Sequence, residues 1–162
     1  MVGSRSVKQI FQGEPFMSKM NVPRILVGGL VSGIVMNVGE AALHAGVLGQ
    51  DTEALYERFQ APLPNPATTI PLLVGMTFLL GLVSIWLYAA LRPQLGGKLK
   101  TALTAGLVVW ILAHVWSGVY LGAGYAGIIT PTLAWIPVIW GLFESTLGTL
   151  AGAALYKETG SR

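Results

Sequence analysis

Residues 28–44 read GGLVSGIVMNVGEAALH, an apolar stretch that carries an amide, a carboxylate and an imidazole. In an α-helix, residues three and four positions apart return to the same face. Asn37, Glu40 and His44 therefore share one stripe. In a membrane-spanning helix, such a polar stripe must face protein or water rather than lipid. The stretch thus predicts a spanning helix whose polar side turns inward, toward other helices.

The composition indicates a membrane protein. The 162 residues are 53% hydrophobic and only 10% charged, whereas soluble domains are about 25% charged. The chain has no cysteine, which excludes disulfides, thiolate metal sites and cysteine nucleophiles. The net charge of +3 arises from basic residues in short segments beside apolar runs, which is a topology signal. Nucleic acid is therefore not predicted as a partner.

Four apolar segments are long enough to cross a bilayer, for which about 20 residues suffice. The sequence predicts an all-α membrane protein, a four-transmembrane-helix bundle with spans at about 23–48, 69–91, 99–121 and 132–156. The chain then divides into an N-terminal cytoplasmic extension, a transmembrane domain and a C-terminal tail, at residues 1–22, 23–158 and 159–162.

The segment between the first two spans has a different character. Residues 50–60 (QDTEALYERFQ) are charged, and their apolar members recur at helical spacing. They predict a short interfacial helix that lies on the membrane surface, separate from the first span. Residues 61–71 (APLPNPATTIP) contain four prolines and predict an extended connector. At the far end of the second span, Arg92-Pro93 is expected to end the helix.

The distribution of positive charge predicts the orientation. The segment through Arg24 holds four Lys or Arg residues and the 92–100 turn holds three, whereas the 50–67 loop holds one and the 122–131 link none. The positive-inside rule then places both termini and the 92–100 turn in the cytoplasm. We therefore expect a multi-pass protein of the inner (cytoplasmic) membrane, surrounded by membrane lipids.

Small residues at four-residue spacing mark two of the spans. Gly29 and Gly33 lie in the first span, and Gly148 and Gly152 lie in the fourth. Such small faces let helix backbones approach closely in lipid. We therefore expect helix packing through these glycines, with the first and fourth helices in contact.

The ionisable residues inside the spans are predicted to lie at similar depth. At about 1.5 Å per residue, Glu144 falls near the middle of its span, and Glu40 and His114 fall roughly 5 Å toward the outer side. Asn37, Glu40, His114 and Glu144 would then form one intramembrane polar layer, with His44 as its outer neighbour. An intramembrane carboxylate costs at least about 2.5 kcal/mol on insertion scales, so two of them require an explanation.

Four interpretations of this polar layer remain open. In the structural one, a protonated glutamate donates hydrogen bonds that specify helix pairing. A metal site would use Glu40, His44, His114 and Glu144, since imidazole and carboxylate suit zinc, iron or manganese. A tetrapyrrole (haem or a chlorophyll-type pigment) would be ligated by His44 or His114, beside small and aromatic residues that make room. In a transporter, the carboxylates would relay protons or ions through an oligomer.

Sequence signatures of catalysis are missing. The chain contains no nucleophile–base set, no phosphate-binding glycine loop and no HExxH helix. The sequence therefore predicts a protein that is not an enzyme.

Three short motifs carry a resemblance to a known family. They are NVGE at 37–40, WLYAALRP at 86–93 and WGLFE at 140–144. On these motifs the chain resembles a widespread family of small bacterial four-span membrane proteins, from about Met20 to Glu158. The resemblance implies the four-helix membrane fold and no particular activity, since none is established for that family. Its members begin near Met20 and have an asparagine where this chain has His44, which implies that residues 1–19 and His44 are peculiar to this chain.

The observations together favour a non-catalytic accessory or scaffold subunit of a larger membrane protein complex. Its partners would be other membrane protein subunits, contacted through lipid-facing aromatic and small-residue surfaces. A second interpretation is a small oligomeric transporter or a protein that conducts ions or protons. A third is a membrane subunit that binds a tetrapyrrole or a metal through His44 or His114.

Overall fold

The structure, a computed structural model, describes residues 20–157. It contains four helices that are each long and apolar enough to cross a membrane: α1 (Val22–Arg58), α2 (Pro66–Leu95), α3 (Lys98–Gly124) and α4 (Pro131–Leu155). No β-strand occurs in this part of the chain. The prediction of an all-α protein with four such helices is confirmed. Residues 1–19 and 158–162, which include most of the predicted N-terminal extension and all of the C-terminal tail, lie outside the described residues.

Three of the helices begin with a polar cap followed by proline. The side chains of Asn21, Asn65 and Thr130 each accept a hydrogen bond from a backbone N–H in the first turn of α1, α2 and α4. A proline at the first or second position follows each cap. Its missing N–H falls where a helix has no internal acceptor, so the capped starts are compatible with the helix backbone.

Helix α1 is longer than the predicted first span. It is α-helical over Val22–Leu43, π-helical over His44–Leu48 and α-helical again over Gly49–Arg58. The charged segment that the sequence assigned to a separate helix therefore continues α1. Gly49 is itself helical, with φ −54° and ψ −53°, and no proline interrupts the chain between the first turn of α1 and residue 62. At 37 residues, α1 is about 55 Å long and exceeds a hydrocarbon core of about 30 Å.

Helix α2 also differs from its predicted bounds. It begins at Pro66, within the stretch predicted as an extended connector, and it continues past Arg92-Pro93 to Leu95. Pro93 is accommodated because it lies in the last turn of the helix. The helix ends at Gly96, whose φ of 71° lies in the left-handed region that glycine adopts without strain.

The four helices form an antiparallel bundle. Helix α1 packs against α2 and α4, and α4 also packs against α3. The expected contact between the first and fourth helices is therefore present. Buried side chains concentrate at the end of the bundle that carries the 96–97 turn, where the rings of Tyr88 and Tyr156 pack edge to face with centroids 5.6 Å apart.

Packing is looser at the opposite end of the bundle. Residues 66–76 of α2 are exposed, with the single exception of the half-buried Thr69. The contacts of α2 with α1 are made mainly further along, where Gly81 of α2 lies against the backbone of Gly29 and Gly33. Helices α1 and α2 therefore separate toward the end that carries the 59–65 connector.

Candidate functional site

The two diverging helices enclose a groove of about 610 Å³, here called the α1–α2 groove. Its polar lining residues are Asn37, Glu40 and His44 of α1 and Thr77 of α2. The other lining side chains are apolar: Ala41, Ala45, Ile70, Leu73, Val74, Met76 and Leu80. The polar stripe of the first span thus faces a groove at the side of the bundle rather than its centre.

His44 and Glu40 form a pair on the α1 wall of this groove. The Nδ1 atom of His44 lies 3.0 Å from the backbone oxygen of Glu40 and 3.2 Å from its carboxylate Oε2. Both neighbours are acceptors, so the hydrogen of the neutral ring belongs on Nδ1 and the lone pair on Nε2. The side chains of His44 and Glu40 are 59% and 34% exposed. The pair is therefore accessible from the side of the bundle.

Asn37 lies one turn before this pair and joins the two walls of the groove. Its Nδ2 donates to the backbone oxygen of Gly33 at 2.8 Å, and the same nitrogen reaches the oxygen of Val74 on α2 at 3.5 Å. The amide donor is thus occupied by backbone carbonyls. Asn37 positions α1 against α2 at the point where the groove begins.

His114 lies in the bundle interior and not in the groove. It belongs to the π-helical segment Ile111–Val115 of α3, is 9% exposed, and packs so closely on Gly141 that a Cβ atom there would lie 2.3 Å from its Nδ1. Its Nε2 has no hydrogen-bond partner among residues 20–157. One turn earlier, Trp110 Nε1 donates to the oxygen of Val138 at 2.8 Å. Trp110 and His114 thus pack α3 against α4.

Glu144 is also an interior residue. It is 5% exposed and points toward α1 at Gly39, where a Cβ atom would lie 2.7 Å from its Oε2. Within the described part of the chain, Glu144 Oε2 and the neighbouring Ser145 Oγ have no hydrogen-bond partner.

The predicted polar layer is therefore divided into two groups. Asn37, Glu40 and His44 lie at the groove, whereas His114 and Glu144 lie inside the bundle. Among residues 20–157, no set of three or more His, Asp or Glu side chains is arranged to hold a metal ion. The four-residue metal site considered from the sequence is not assembled, because Glu40 and His44 line the groove whereas His114 and Glu144 are buried in the interior.

Both histidines of the chain occur in π-helical segments, His44 as the first residue of one and His114 within the other. Single π-helical turns inside α-helices are often found at functional sites. Sequence reasoning missed both turns, and nothing in the sequence of residues 44–48 or 111–115 predicts them.

Gly39 and Gly141 were a usable signal for the positions of the buried polar residues. Each glycine makes room for a polar side chain of a neighbouring helix, Glu144 at Gly39 and His114 at Gly141.

The predicted packing glycines face two different neighbours. Gly29 and Gly33 lie against Leu82 and Phe78 of α2, and Gly148 and Gly152 lie against Met36 and Gly28 of α1. Sequence reasoning did not single out Gly28 as the partner of Gly152. Adjacent glycines in α1 thus serve two different helix contacts.

No protein-family model matches the chain, and no curated protein or solved structure matches it. The chemistry available at the groove is defined by its own residues. They offer a carboxylate, an imidazole nitrogen with its lone pair, and an apolar volume that opens sideways. Such a set can bind a partner or a ligand.

Proposed function

We propose that the chain is a non-catalytic accessory subunit of a larger membrane protein complex, in which a neighbouring subunit completes the α1–α2 groove. The observation that carries this proposal is the sideways exposure of Glu40 and His44. A polar side chain inside the bilayer faces protein or water, and rarely lipid. The bundle by itself leaves these two on its lipid-facing side.

The depth of the two residues supports this argument. Polar residues flank the apolar part of α1 at Arg24 and Gln50, so residue 37 lies midway. At 1.5 Å per residue, Glu40 is about 4.5 Å and His44 about 10 Å from the midplane. Both distances are smaller than the hydrocarbon half-thickness of about 15 Å. A second molecule that covers the groove would remove the cost of exposing them to acyl chains.

The end of α1 is the second contact element in this proposal. Gly49–Arg58 contains no buried residue, and its acidic residues suit the outer membrane surface rather than the bilayer. Arg58 Nη2 donates to the backbone oxygen of Gly127 at 3.0 Å. This bond ties the helix end to the link between α3 and α4, so that a partner would meet a fixed surface.

The proposed location is the bacterial inner membrane, with both termini in the cytoplasm. The antiparallel connectivity supports this topology, because it brings Arg24, Arg92, Lys98 and Lys157 to one end of the bundle. Such a cluster is typical of the cytoplasmic side. The resemblance to bacterial four-span proteins supports the choice of organism class and membrane.

Copurification combined with site-specific crosslinking tests the accessory-subunit proposal. Because the chain has no cysteine, Leu73→Cys on the groove wall and Leu112→Cys on the exposed side of α3 can carry the same photocrosslinker. In native membranes we expect the first variant to capture one polypeptide of defined mass that also copurifies stoichiometrically in mild detergent. Leu112→Cys should capture it at least fivefold less. A homo-oligomer with no other polypeptide would contradict the proposal.

Proton or ion conduction by an oligomer is a second candidate. It is favoured by the buried Oε2 of Glu144, which has no hydrogen-bond partner among the described residues and lies against α1 next to Glu40. Buried intramembrane carboxylates commonly mark ion pathways. Proton flux into liposomes that contain the purified protein tests it: Glu144→Gln should abolish flux, and the absence of flux in the unsubstituted protein would exclude it.

A further inference from the structure

We propose that the α1–α2 groove binds a flat metallated macrocycle of the tetrapyrrole class, with Nε2 of His44 as the axial ligand of its metal. The inference extends the proposed function. It rests on that proposal in one respect, since the neighbouring subunit would cover the side of the macrocycle that faces away from this chain. It concerns the occupant that touches this chain directly.

The pairing of His44 with Glu40 is the first argument. Histidines that ligate metals almost always donate their other ring N–H to a carboxylate or a backbone carbonyl, which fixes the tautomer and the ring orientation. His44 Nδ1 has both kinds of acceptor, at 3.0 Å and 3.2 Å, and Glu40 supplies both. Nε2 is thereby left as the nitrogen with the lone pair. The carboxylate also makes that lone pair more basic.

Access distinguishes His44 from the other histidine. His44 lines the groove and its side chain is 59% exposed. His114 is 9% exposed, with its ring packed on Gly141. A macrocycle could approach His114 only if α3 and α4 separated. Of the two histidines in the chain, the structure therefore assigns the ligand role to His44.

The donor set favours a macrocycle over a bare ion. A bare metal ion needs three or four protein ligands, and no such set of His, Asp or Glu exists among residues 20–157. A tetrapyrrole brings four nitrogen ligands in its own plane and requires only an axial ligand from the protein. A single accessible imidazole is what the groove provides.

The shape and polarity of the groove indicate which kind of macrocycle it would accept. The volume of about 610 Å³ lies within the range of roughly 300–1,000 Å³ for cofactor sites. The α1 wall of the groove carries the small side chains of Ala41 and Ala45 beside His44, and small residues next to a ligating histidine make room for a macrocycle. No Lys or Arg lines the groove, so carboxylate substituents would lack counterions in a medium where unpaired charge is costly. The groove therefore suits a macrocycle with an uncharged, esterified periphery.

Binding of defined porphyrins to the purified full chain tests the inference. In detergent solution, the protein is titrated with zinc protoporphyrin dimethyl ester while the Soret band is recorded. We expect saturable binding of one porphyrin per chain, with the band shift that an axial imidazole produces on zinc. The metal-free dimethyl ester and the zinc diacid should each bind at least tenfold more weakly.

Variants test whether the Soret band shift depends on His44 and Glu40. His44→Ala should lower the affinity for the zinc ester at least tenfold, and His44→Gly should regain the shifted band when free imidazole is added. Glu40→Gln should weaken binding by about 10-fold or more, since outer-shell partners of ligating histidines have effects of that size. Leu112→Ala changes a side chain on the exposed side of α3, outside the groove, and should bind the zinc ester as the unsubstituted chain does. Circular dichroism and gel filtration of each variant establish that it is folded, and His44→Asn replaces His44→Ala if the latter is not.

Three results would overturn the inference. They are no saturable band shift with the unsubstituted chain, an equal shift with folded His44→Ala or His44→Asn, and equal affinity for the metal-free ester. Each would leave the accessory-subunit proposal standing, because that proposal depends on copurification and crosslinking. Conversely, zinc porphyrin binding by a chain that copurifies with no partner would support the macrocycle site and contradict the accessory role.

Discussion

Gly28 and Gly152 bring the backbones of α1 and α4 into direct contact. A Cβ atom on Gly152 would lie 2.3 Å from the carbonyl oxygen of Gly28, and one on Gly28 would lie 2.7 Å from the carbonyl oxygen of Gly152. Real side chains do not approach backbone oxygens so closely, so any residue other than glycine would force the helices apart. The contact lies at the tightly packed end of the bundle, where Ile85 of α2 meets both glycines.

Replacing Gly152 by alanine should therefore destabilise the bundle. We expect Gly152→Ala to lower the free energy of unfolding by about 1–3 kcal/mol, the usual cost of overpacking a close contact. Unfolding in mixed micelles, followed by circular dichroism or tryptophan fluorescence, measures this. The matched control is Gly75→Ala in α2, where nothing lies within 4 Å of the added methyl group. It should be neutral or stabilising by up to about 1 kcal/mol. Equal effects of the two variants would show that the close contact does not limit stability.

The hydrogen bond from Trp110 to Val138 predicts a difference between two tryptophans of α3. Trp110→Phe removes the donor of a bond of 2.8 Å to α4 and should cost about 0.5–1.5 kcal/mol. Trp116→Phe alters a side chain that is 71% exposed and should change stability by less than about 0.5 kcal/mol. Unfolding of the two variants under identical conditions tests this. A larger loss for Trp116→Phe would contradict the assigned packing of α3 on α4.

Arg58 should determine how firmly the end of α1 is held. Arg58→Gln removes the charged donor to Gly127, and losing a bond worth about 1 kcal/mol corresponds to a roughly fivefold increase in local opening. Hydrogen exchange of the amides in 49–58 should accelerate by that factor, with exchange in the span unchanged. Glu57→Gln, one residue earlier and exposed, serves as the control for a change of charge. Unchanged exchange in Arg58→Gln would mean that this bond does not hold the helix end.

The proposed topology predicts opposite labelling of two connecting segments. Gln94→Cys lies in the last turn of α2 and Ala61→Cys in the connector after α1, and both positions are exposed. With a membrane-impermeant maleimide, the first should be labelled in inside-out vesicles and the second in right-side-out vesicles. Equal labelling of both positions from one side would rule out the four-span arrangement, and the reverse pattern would place both termini outside.

The positions of the spans follow closely from the sequence, because about twenty predominantly apolar residues have few other stable arrangements in a membrane protein. The starts of α1, α2 and α4 can also be predicted from the sequence, because a capping residue precedes a proline by one or two positions in each: Asn21, Asn65 and Thr130. The continuation of α1 through 49–58 was not predictable in this way. A change from apolar to charged composition marks the membrane boundary, but it does not interrupt backbone hydrogen bonding.

The location of the groove was beyond sequence reasoning for a different reason. Helical spacing shows that Asn37, Glu40 and His44 share a face, but it does not show which neighbour that face meets. The backbone of Gly28 meets that of α4 whereas Gly29 meets Leu82 of α2, so a rotation of α1 by one residue changes the neighbour that a given face meets. Helix α2 is apolar on all sides, and its sequence therefore contains no signal for the point at which it leaves the bundle.

The π-helical turn at His44–Leu48 has a further consequence for the geometry of α1. Such a turn holds one residue more than an α-helical turn, and one residue corresponds to about 100° of rotation about the axis. The turn therefore sets the azimuth of Gly49–Arg58 relative to the membrane-embedded part of the same helix. Deleting one residue within the turn would rotate Arg58 by about a quarter of a circle away from Gly127. The side chains of Val22–Leu43 would keep their orientation. One helix thus carries two surfaces, and the π-helical turn sets the angle between them.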